Sequence, residues 1–254
     1  MNIRETPSDE KIVLSKFNFT CDEIDESIPK PLPQMLNFFM LICGRPGSGK
    51  TTLLLNLVCK RGKMYNKKFD TIFVFSPSLL TMKDDPFGEL PEDQVHTELT
   101  EENLQGSLEK IKDSGEKVLY ILDDVVNDMK RSAGIQTLLT KMLMNRRHLA
   151  GAGGSCSFII TSQVYNKIPA PIRKTASQVI IYHTKNKKEL DTIFDEVILI
   201  PKKEYYDTLR YVYDKPFQFL YVDTTLPDNK MMFKNFNQLE INSPNILGDS
   251  YTFD

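Results

Sequence analysis

The chain has 254 residues, with 32 Lys and Arg against 34 Asp and Glu and a formal net charge of -2. That length suits one domain with appendages, which buries roughly 70–75% of the surface an unfolded chain exposes and needs no disulfide or metal to fold. The balanced charge excludes a uniformly basic nucleic-acid binder, so any DNA-binding surface has to be local, and Cys21, Cys43, Cys59 and Cys156 have no ligand spacing, which argues against a zinc site and suits a reducing, intracellular setting.

Residues 1–36 read as an amino-terminal extension. The segment is polar, lacks the apolar core of a signal peptide, and ends in Pro29, Pro31 and Pro33, which disfavour helix. It is expected either as a disordered arm or as a strap on a neighbouring subunit. Residues 37–43 are a short apolar run suited to a buried parallel strand. They lead into Gly44-Arg45-Pro46-Gly47-Ser48-Gly49-Lys50-Thr51, which matches GxxxxGK(S/T) at every position. In this motif the glycines allow backbone angles that a Cβ forbids. The N–H groups then converge on phosphate oxygens, and the following helix adds its positive end. Lys50 is placed to reach the β- and γ-phosphates of ATP, and the Thr51 hydroxyl to hold Mg²⁺. Thr52 completes the nucleotide-binding set. A leucine-rich helix over 51–60 follows, with Gly62 as its stop.

A second strand is expected over 71–76, closed by Pro77, and a variable loop over 79–100. Residues 101–112 have a helical apolar face. Residues 118–122 form a third apolar strand, which ends in Asp123 and Asp124. This is the Walker B pattern. Asp123 is expected to hold Mg²⁺ through its water shell, and Asp124 to orient and deprotonate the attacking water. The bland alternative is a turn capped by two aspartates.

Residues 135–149 read as a helix ending near Arg146 and Arg147. A fourth strand over 157–161 runs into Thr161-Ser162-Gln163, whose glutamine can touch the γ-phosphate or the water. Arg173 follows in a short segment before a fifth strand over 178–182. A helical stretch begins over 189–194. Beyond Pro201 the signal weakens to a helix over 203–210, a strand over 217–222 and a tail. Alternating strands and helices predict an α/β fold, a mainly parallel sheet sandwiched between helices. Its ligands then belong beyond the carboxyl ends of the strands. The organisation read from this is an extension over 1–36, a P-loop NTPase core of RecA/ASCE type over 37–200, and a carboxyl-terminal appendage over 201–254. No apolar run approaches the ~20 residues of a membrane helix.

The motifs GRPGSGKT, YILDDV, MNRRHLAG, FIITSQ and PIRKTASQVIIY, in this order, resemble the FtsK/HerA superfamily of DNA-pumping ATPases. The branch they resemble most is the poxvirus-type genome-packaging ATPases of large DNA viruses. The superfamily generally has Asp-Glu where this chain has Asp123-Asp124, and the viral branch is similar to this chain there. The resemblance implies a homo-oligomeric ring, pentameric or hexameric, with double-stranded DNA in its channel and ATP-driven translocation. It also implies capsid or other packaging proteins as partners, and a site of action in the virion or at the assembly site in the host cytoplasm. Arg147, then Arg146, then Arg173 are its candidates for an arginine supplied to the next subunit's ATP; the plainer role is helix-end or loop charge. The alternatives are another pump or helicase of this superfamily, a P-loop small-molecule kinase, or a nucleotide-gated scaffold.

Overall fold

The computed structural model describes residues 22–60, 64–78, 86–198 and 200–240. Its order is β1 (Phe39–Cys43), α1 (Lys50–Val58), β2 (Thr71–Phe75), β3 (Val95–His96), α2 (Glu101–Ile111), β4 (Lys117–Asp123), α3 (Val126–Arg131) and α4 (Ala133–Met144). Then come β5 (Ser155–Ser162), α5 (Ala170–Arg173), β6 (Gln178–Tyr182), α6 (Lys187–Val197), α7 (Lys202–Val212), β7 (Phe219–Asp223), β8 (Met232–Lys234) and β9 (Asn237–Gln238).

The described strands form one nine-stranded sheet in the order β3-β2-β4-β5-β1-β6-β7-β8-β9. Pairings from β3 through β6 are parallel. β7, β8 and β9 extend the sheet antiparallel. The segment read from sequence as an appendage therefore supplies strands of the central sheet itself. β1 lies between β5 and β6, so the loop after β1 opens where both neighbours also end.

Alternate residues of each strand face opposite layers, as the two-residue period requires. On one face Leu41, Tyr120, Phe158 and Ile181 pack against α2, α4, α5, α6 and α7 through Leu104, Leu139, Ile172, Ile193 and Tyr205. Aromatic rings run across this face: Phe73 stacks on Tyr120 with centroids 5.2 Å apart, and Tyr120 on Phe158 at 4.9 Å. The buried Tyr120 hydroxyl is satisfied by Ser107 Oγ of α2 at 3.2 Å.

Among the described residues, the opposite face completes the expected sandwich with a single helix. Helix α1 covers it together with irregular segments: Leu54 and Leu57 pack with Ile28, Leu32, Leu36, Tyr65 and Phe87. Residues 22–36, expected as a free arm or a strap on a neighbour, lie on their own subunit. Ile28, Leu32 and Leu36 bury their side chains there. The proline-rich stretch offers carbonyls with few competing N–H groups: Pro33 O accepts from Tyr65 Oη at 3.0 Å and Pro31 O from Tyr221 Oη at 3.1 Å. The buried Tyr65 hydroxyl is thus satisfied, and the Tyr221 hydroxyl gains a partner beside Asp223. Residues 1–21, the other part of that extension, lie outside the described residues, as do Gly62, the basic Arg61 and Lys63, and the tail aromatic Tyr251.

Helix α4 begins earlier than its apolar pattern suggests, because Ser132 caps it by accepting from Gly134 N at 3.1 Å and Ile135 N at 3.3 Å. It also stops earlier, at Met144, where Asn145 turns its amide back to Lys141 O at 2.9 Å. Arg146 and Arg147 therefore sit in the turns after the helix rather than in its last turn.

Candidate nucleotide-binding site

The loop after β1 is drawn tight by pairing and by sterics. Gly44 N donates to Ser162 O of β5 at 3.0 Å, which extends the strand pairing into the motif. A Cβ on Gly44 would stand 2.7 Å from Tyr182 Cβ and from Ser48 Oγ, so only glycine fits. Gly47 and Gly49 have φ of 74° and 102°, in the region a Cβ penalises. The loop feeds directly into α1, whose amino end has neither a side-chain cap nor an acidic residue in its first turn. By contrast α2 and α6 are capped by Thr100 and Asn186. The first N–H groups of α1 have no partner within the helix, and with them the loop presents positive dipole ends to a phosphate.

Lys50 is buried, and its ammonium donates to Gly44 O at 2.5 Å and Arg45 O at 3.3 Å. Burial lowers its pKa; the nearby charges of Asp124 and Asp123 oppose that shift. The ammonium thus sits between the loop and the acidic strand end. Thr51 is half-buried and Thr52 exposed, both on the first turn of α1. The Ser48 hydroxyl is buried in the loop with no hydrogen-bond partner. Arg45 and Pro46 are exposed on the loop's outer side.

Asp123 ends β4 with a relative exposure of 2%. Its Oδ1 accepts from Thr161 Oγ1 at 2.6 Å, and its Oδ2 accepts from Ser76 Oγ and Ser78 Oγ, each at 3.1 Å. Asp124 leaves the strand with a φ of 56°. Its N–H donates to Thr161 Oγ1 at 3.1 Å, and its Oδ2 accepts from Gln163 Nε2 at 2.7 Å. One threonine hydroxyl at the end of β5 therefore orders both aspartates, and Gln163 tethers the second. Ser76 and Ser78 escape the sequence reading, although strand β2 ends beside β4 and the rule for parallel sheets points to that edge. Tyr182 is likewise unforeseen: its hydroxyl donates to Gly49 O at 3.3 Å and its ring walls the loop.

A cavity of about 280 Å³ lies beside the loop, among Gly44, Arg45, Gln163, His183 and Lys185. The buried Glu189 closes its floor, accepting from Tyr165 N at 2.6 Å and Thr184 Oγ1 at 2.9 Å. Another, of about 680 Å³, runs along the amino end of α1. Lys50, Thr51, Asp123, Asp124 and Gln163 are thus gathered on the carboxyl edge of the sheet. Among the described residues no group of three or more His, Cys, Asp or Glu forms a metal site by itself. A single buried carboxylate beside a threonine suits Mg²⁺, which takes few protein ligands and completes its shell with phosphate and water.

The arginines lie elsewhere. Arg146 Nε donates to Asn37 O at 2.6 Å and its Nη1 to Leu143 O at 2.9 Å. Its backbone carbonyl pairs with Cys156 N at the start of β5. Arg147, 45% exposed, pairs with Asp22. Both sit at the amino edge of the sheet, opposite the loop of their own chain. Arg173 is held in a two-pronged pair with Glu196, at 2.7 and 2.6 Å, with both side chains 14% exposed. It also donates to Ile168 O at 2.8 Å, so its guanidinium is committed within the subunit. His96 stacks on Phe75 with centroids 4.9 Å apart, and the His183 ring is tilted against Tyr213 at 5.2 Å.

Residues 32–212, which span the loop, the acidic strand end and β6, match the family described as Poxvirus A32 protein. The chain belongs to the poxvirus A32 protein family. Among solved structures, this A32-family chain is similar to the DNA-packaging ATPase B204 of Sulfolobus turreted icosahedral virus. That likeness has 16% identity, covers 79% of this chain and 97% of B204, and has a TM-score of 0.56. The genome packaging NTPase B204 of Sulfolobus turreted icosahedral virus 2, in complex with AMPPCP, is similar at 18% identity. It covers 80% of this chain and 98% of that one, with a TM-score of 0.55. At these identities the likeness establishes the fold, a P-loop NTPase with a mostly parallel central sheet. No curated protein matches the chain.

Proposed function

We propose that this chain is an ATP-hydrolysing motor that moves double-stranded DNA and packages a viral genome. The observation that carries this reading is the convergence of Lys50, Asp123, Asp124 and Gln163 on one edge of the sheet, in a member of the A32 family. The B204 proteins, with the same fold, are described as a DNA-packaging ATPase and as a genome packaging NTPase, the latter in complex with AMPPCP.

The loop amides and Lys50 bind the triphosphate. Thr51 and Asp123 would hold Mg²⁺, which when bound supplies positive charge to the β- and γ-phosphate oxygens. Asp124 orients the attacking water and accepts its proton, while Gln163 fixes that carboxylate by a hydrogen bond. Hydrolysis then breaks the bond between the γ-phosphorus and the bridging oxygen, the water oxygen bonds the phosphorus, and ADP leaves.

Assembly into a ring completes the reading. In a head-to-tail ring, one patch of each subunit meets a different patch of the next, and in this reading the amino edge faces the neighbour's nucleotide. Arg147, half-exposed on the amino edge, is the arginine best placed to reach a neighbour's nucleotide. Arg147 is paired within its own subunit too, with Asp22, but in an exposed pair that solvent competes for, whereas Arg173 and Arg146 are held in more buried contacts. Among the described residues no helix is long and apolar enough to cross a membrane. Capsid proteins are the expected docking partners, at the site where virions assemble.

The test is the ATPase rate of the purified full chain with and without double-stranded DNA. Stimulation by DNA in the wild type, and no turnover by Lys50→Ala in either condition, supports the reading. A rate indifferent to DNA, with phosphate passed instead to a small-molecule acceptor, overturns it in favour of a kinase.

A further inference from the structure

The cavity of about 680 Å³ along α1 shares Gly47 through Thr52 with the phosphate loop and is also lined by Leu53, Met64, Tyr182 and Phe217. Apolar and aromatic side chains therefore wall this cavity beside the polar loop. Phe217 is 70% exposed, one of the large apolar side chains this protein leaves in water. Its φ is 64°, a backbone region that a bulky residue enters only at a cost. The ring edge lies close to the loop: Phe217 Cδ1 is 3.6 Å from the position of a Cβ on Gly49.

The loop that presents Phe217 is anchored around it. Tyr213 Oη donates to Ile181 O at 2.8 Å, and Lys234 Nζ pairs with Asp214 at 2.8 Å. The amide of Gln218, oriented to suit its neighbours, donates to Asp214 and to Val212 O. An exposed aromatic ring, held by a pinned loop against the phosphate loop, has no role in the core. Its π-face is available to another flat ring.

We propose that Phe217 is a stacking shelf for the base of the nucleoside triphosphate, a binding residue outside the phosphate-binding motif. This rests on the reading of residues 44–51 as the triphosphate loop and adds the base subsite to it. A base stacked on an aromatic side chain adds affinity through its π-face. The shelf therefore raises affinity for nucleotides above that for a bare polyphosphate.

The chain has no tryptophan, so Phe217→Trp installs a single reporter at the shelf. Binding of Mg·ATP and of inorganic tripolyphosphate is measured for the wild type, Phe217→Ala and Phe217→Trp by titration calorimetry, with tryptophan emission followed in the last. Phe217→Ala is expected to weaken Mg·ATP about tenfold, equivalent to ~1.4 kcal/mol, and to leave tripolyphosphate binding within about twofold, the span left when a stacking term alone is lost. Emission of Phe217→Trp is expected to change on adding Mg·ATP and to stay constant with tripolyphosphate. Unchanged Mg·ATP affinity in Phe217→Ala overturns the proposal. Parallel loss of both ligands also overturns it, since the ring would then only prop the loop. If the wild type binds neither ligand, the triphosphate reading itself fails, and the shelf with it.

Discussion

Arg173→Met gives the clearest separation between a structural arginine and one that acts on nucleotide. Its guanidinium joins α5 to α6 through both oxygens of Glu196, at 2.6 and 2.7 Å, and it lies 5.6 Å from the Tyr165 ring centroid. Tyr165 Oη also donates to Glu196 Oε2, at 3.1 Å. Removing the arginine leaves a carboxylate that is 14% exposed without its cation. Breaking one partner of such a pair costs about 3 kcal/mol, the low end for buried pairs because these edges stay partly wet. At ~2–4 °C per kcal/mol for a chain of this size, the melting temperature falls by about 6–12 °C.

The lost stability also has a pH signature. The hydrogen bond from Arg173 is the main reason the Glu196 carboxyl lies below its ordinary value of 4.5. A depressed carboxylate stabilises the fold fully above the ordinary value and loses that contribution as pH falls through the lowered one. The gap between wild type and Arg173→Met is therefore full at neutral pH and narrows in acid. Replacing both partners, as Arg173→Met with Glu196→Leu, should recover most of the melting temperature, because no buried charge is left unpaired. Thermal unfolding followed by circular dichroism reads all three variants, and ATPase assays on the double variant read function. A single variant melting within about 2 °C of wild type would refute the argument. A double variant that melts normally but has lost turnover would return Arg173 to the candidates for the arginine acting between subunits.

The remaining predictions concern the site. Thr161→Val removes the hydroxyl that serves Asp123 Oδ1 and Asp124 N–H; it should cost about 1–3 kcal/mol in urea unfolding and weaken Mg²⁺-dependent ATP binding, and normal binding would contradict the bridging role. Asp124→Asn should keep Mg·ATP binding and lose hydrolysis, and wild-type turnover would assign the base elsewhere. Gln163→Ala should lower kcat about 10–100-fold, the scale of a misplaced catalytic group, and leave KM for ATP nearly unchanged; a change confined to KM would make Gln163 a binding residue. Arg147→Ala subunits should be inactive alone and regain activity when mixed with Lys50→Ala subunits, because the mixed ring pairs an intact loop with an intact arginine. Absence of rescue in rings shown to contain both would remove Arg147 from the trans role.

The layout of the site was legible because its motifs sit on strands whose ends converge. The run 37–43, the acidic end of β4 and the polar end of β5 need only the strand-end rule to meet, and the structure places them together. What sequence left hidden lies in side-chain partners from distant positions. Ser76 and Ser78 carry no motif, yet they occupy the edge of β2 that faces Asp123. The two-residue β3 and β9 are too short for any period to register. Helix α3, whose Asp128 and Met129 follow the acidic pair, is a single short segment without a pattern of its own. The packing of residues 22–36 was hidden for a different reason. Three prolines argue against regular structure, and regular structure is what periodicity detects; Ile28, Leu32 and Leu36 instead bury themselves from an irregular path.

The most direct test of the central claim is translocation itself. Wild-type protein, an Asp124→Asn variant and ATP are incubated with linear double-stranded DNA that carries a labelled third strand, and release of that strand is followed in time. The account predicts ATP-dependent release by the wild type and none by Asp124→Asn, which still binds nucleotide. Hydrolysis stimulated by DNA but without strand release, in assembled wild-type protein, would contradict it.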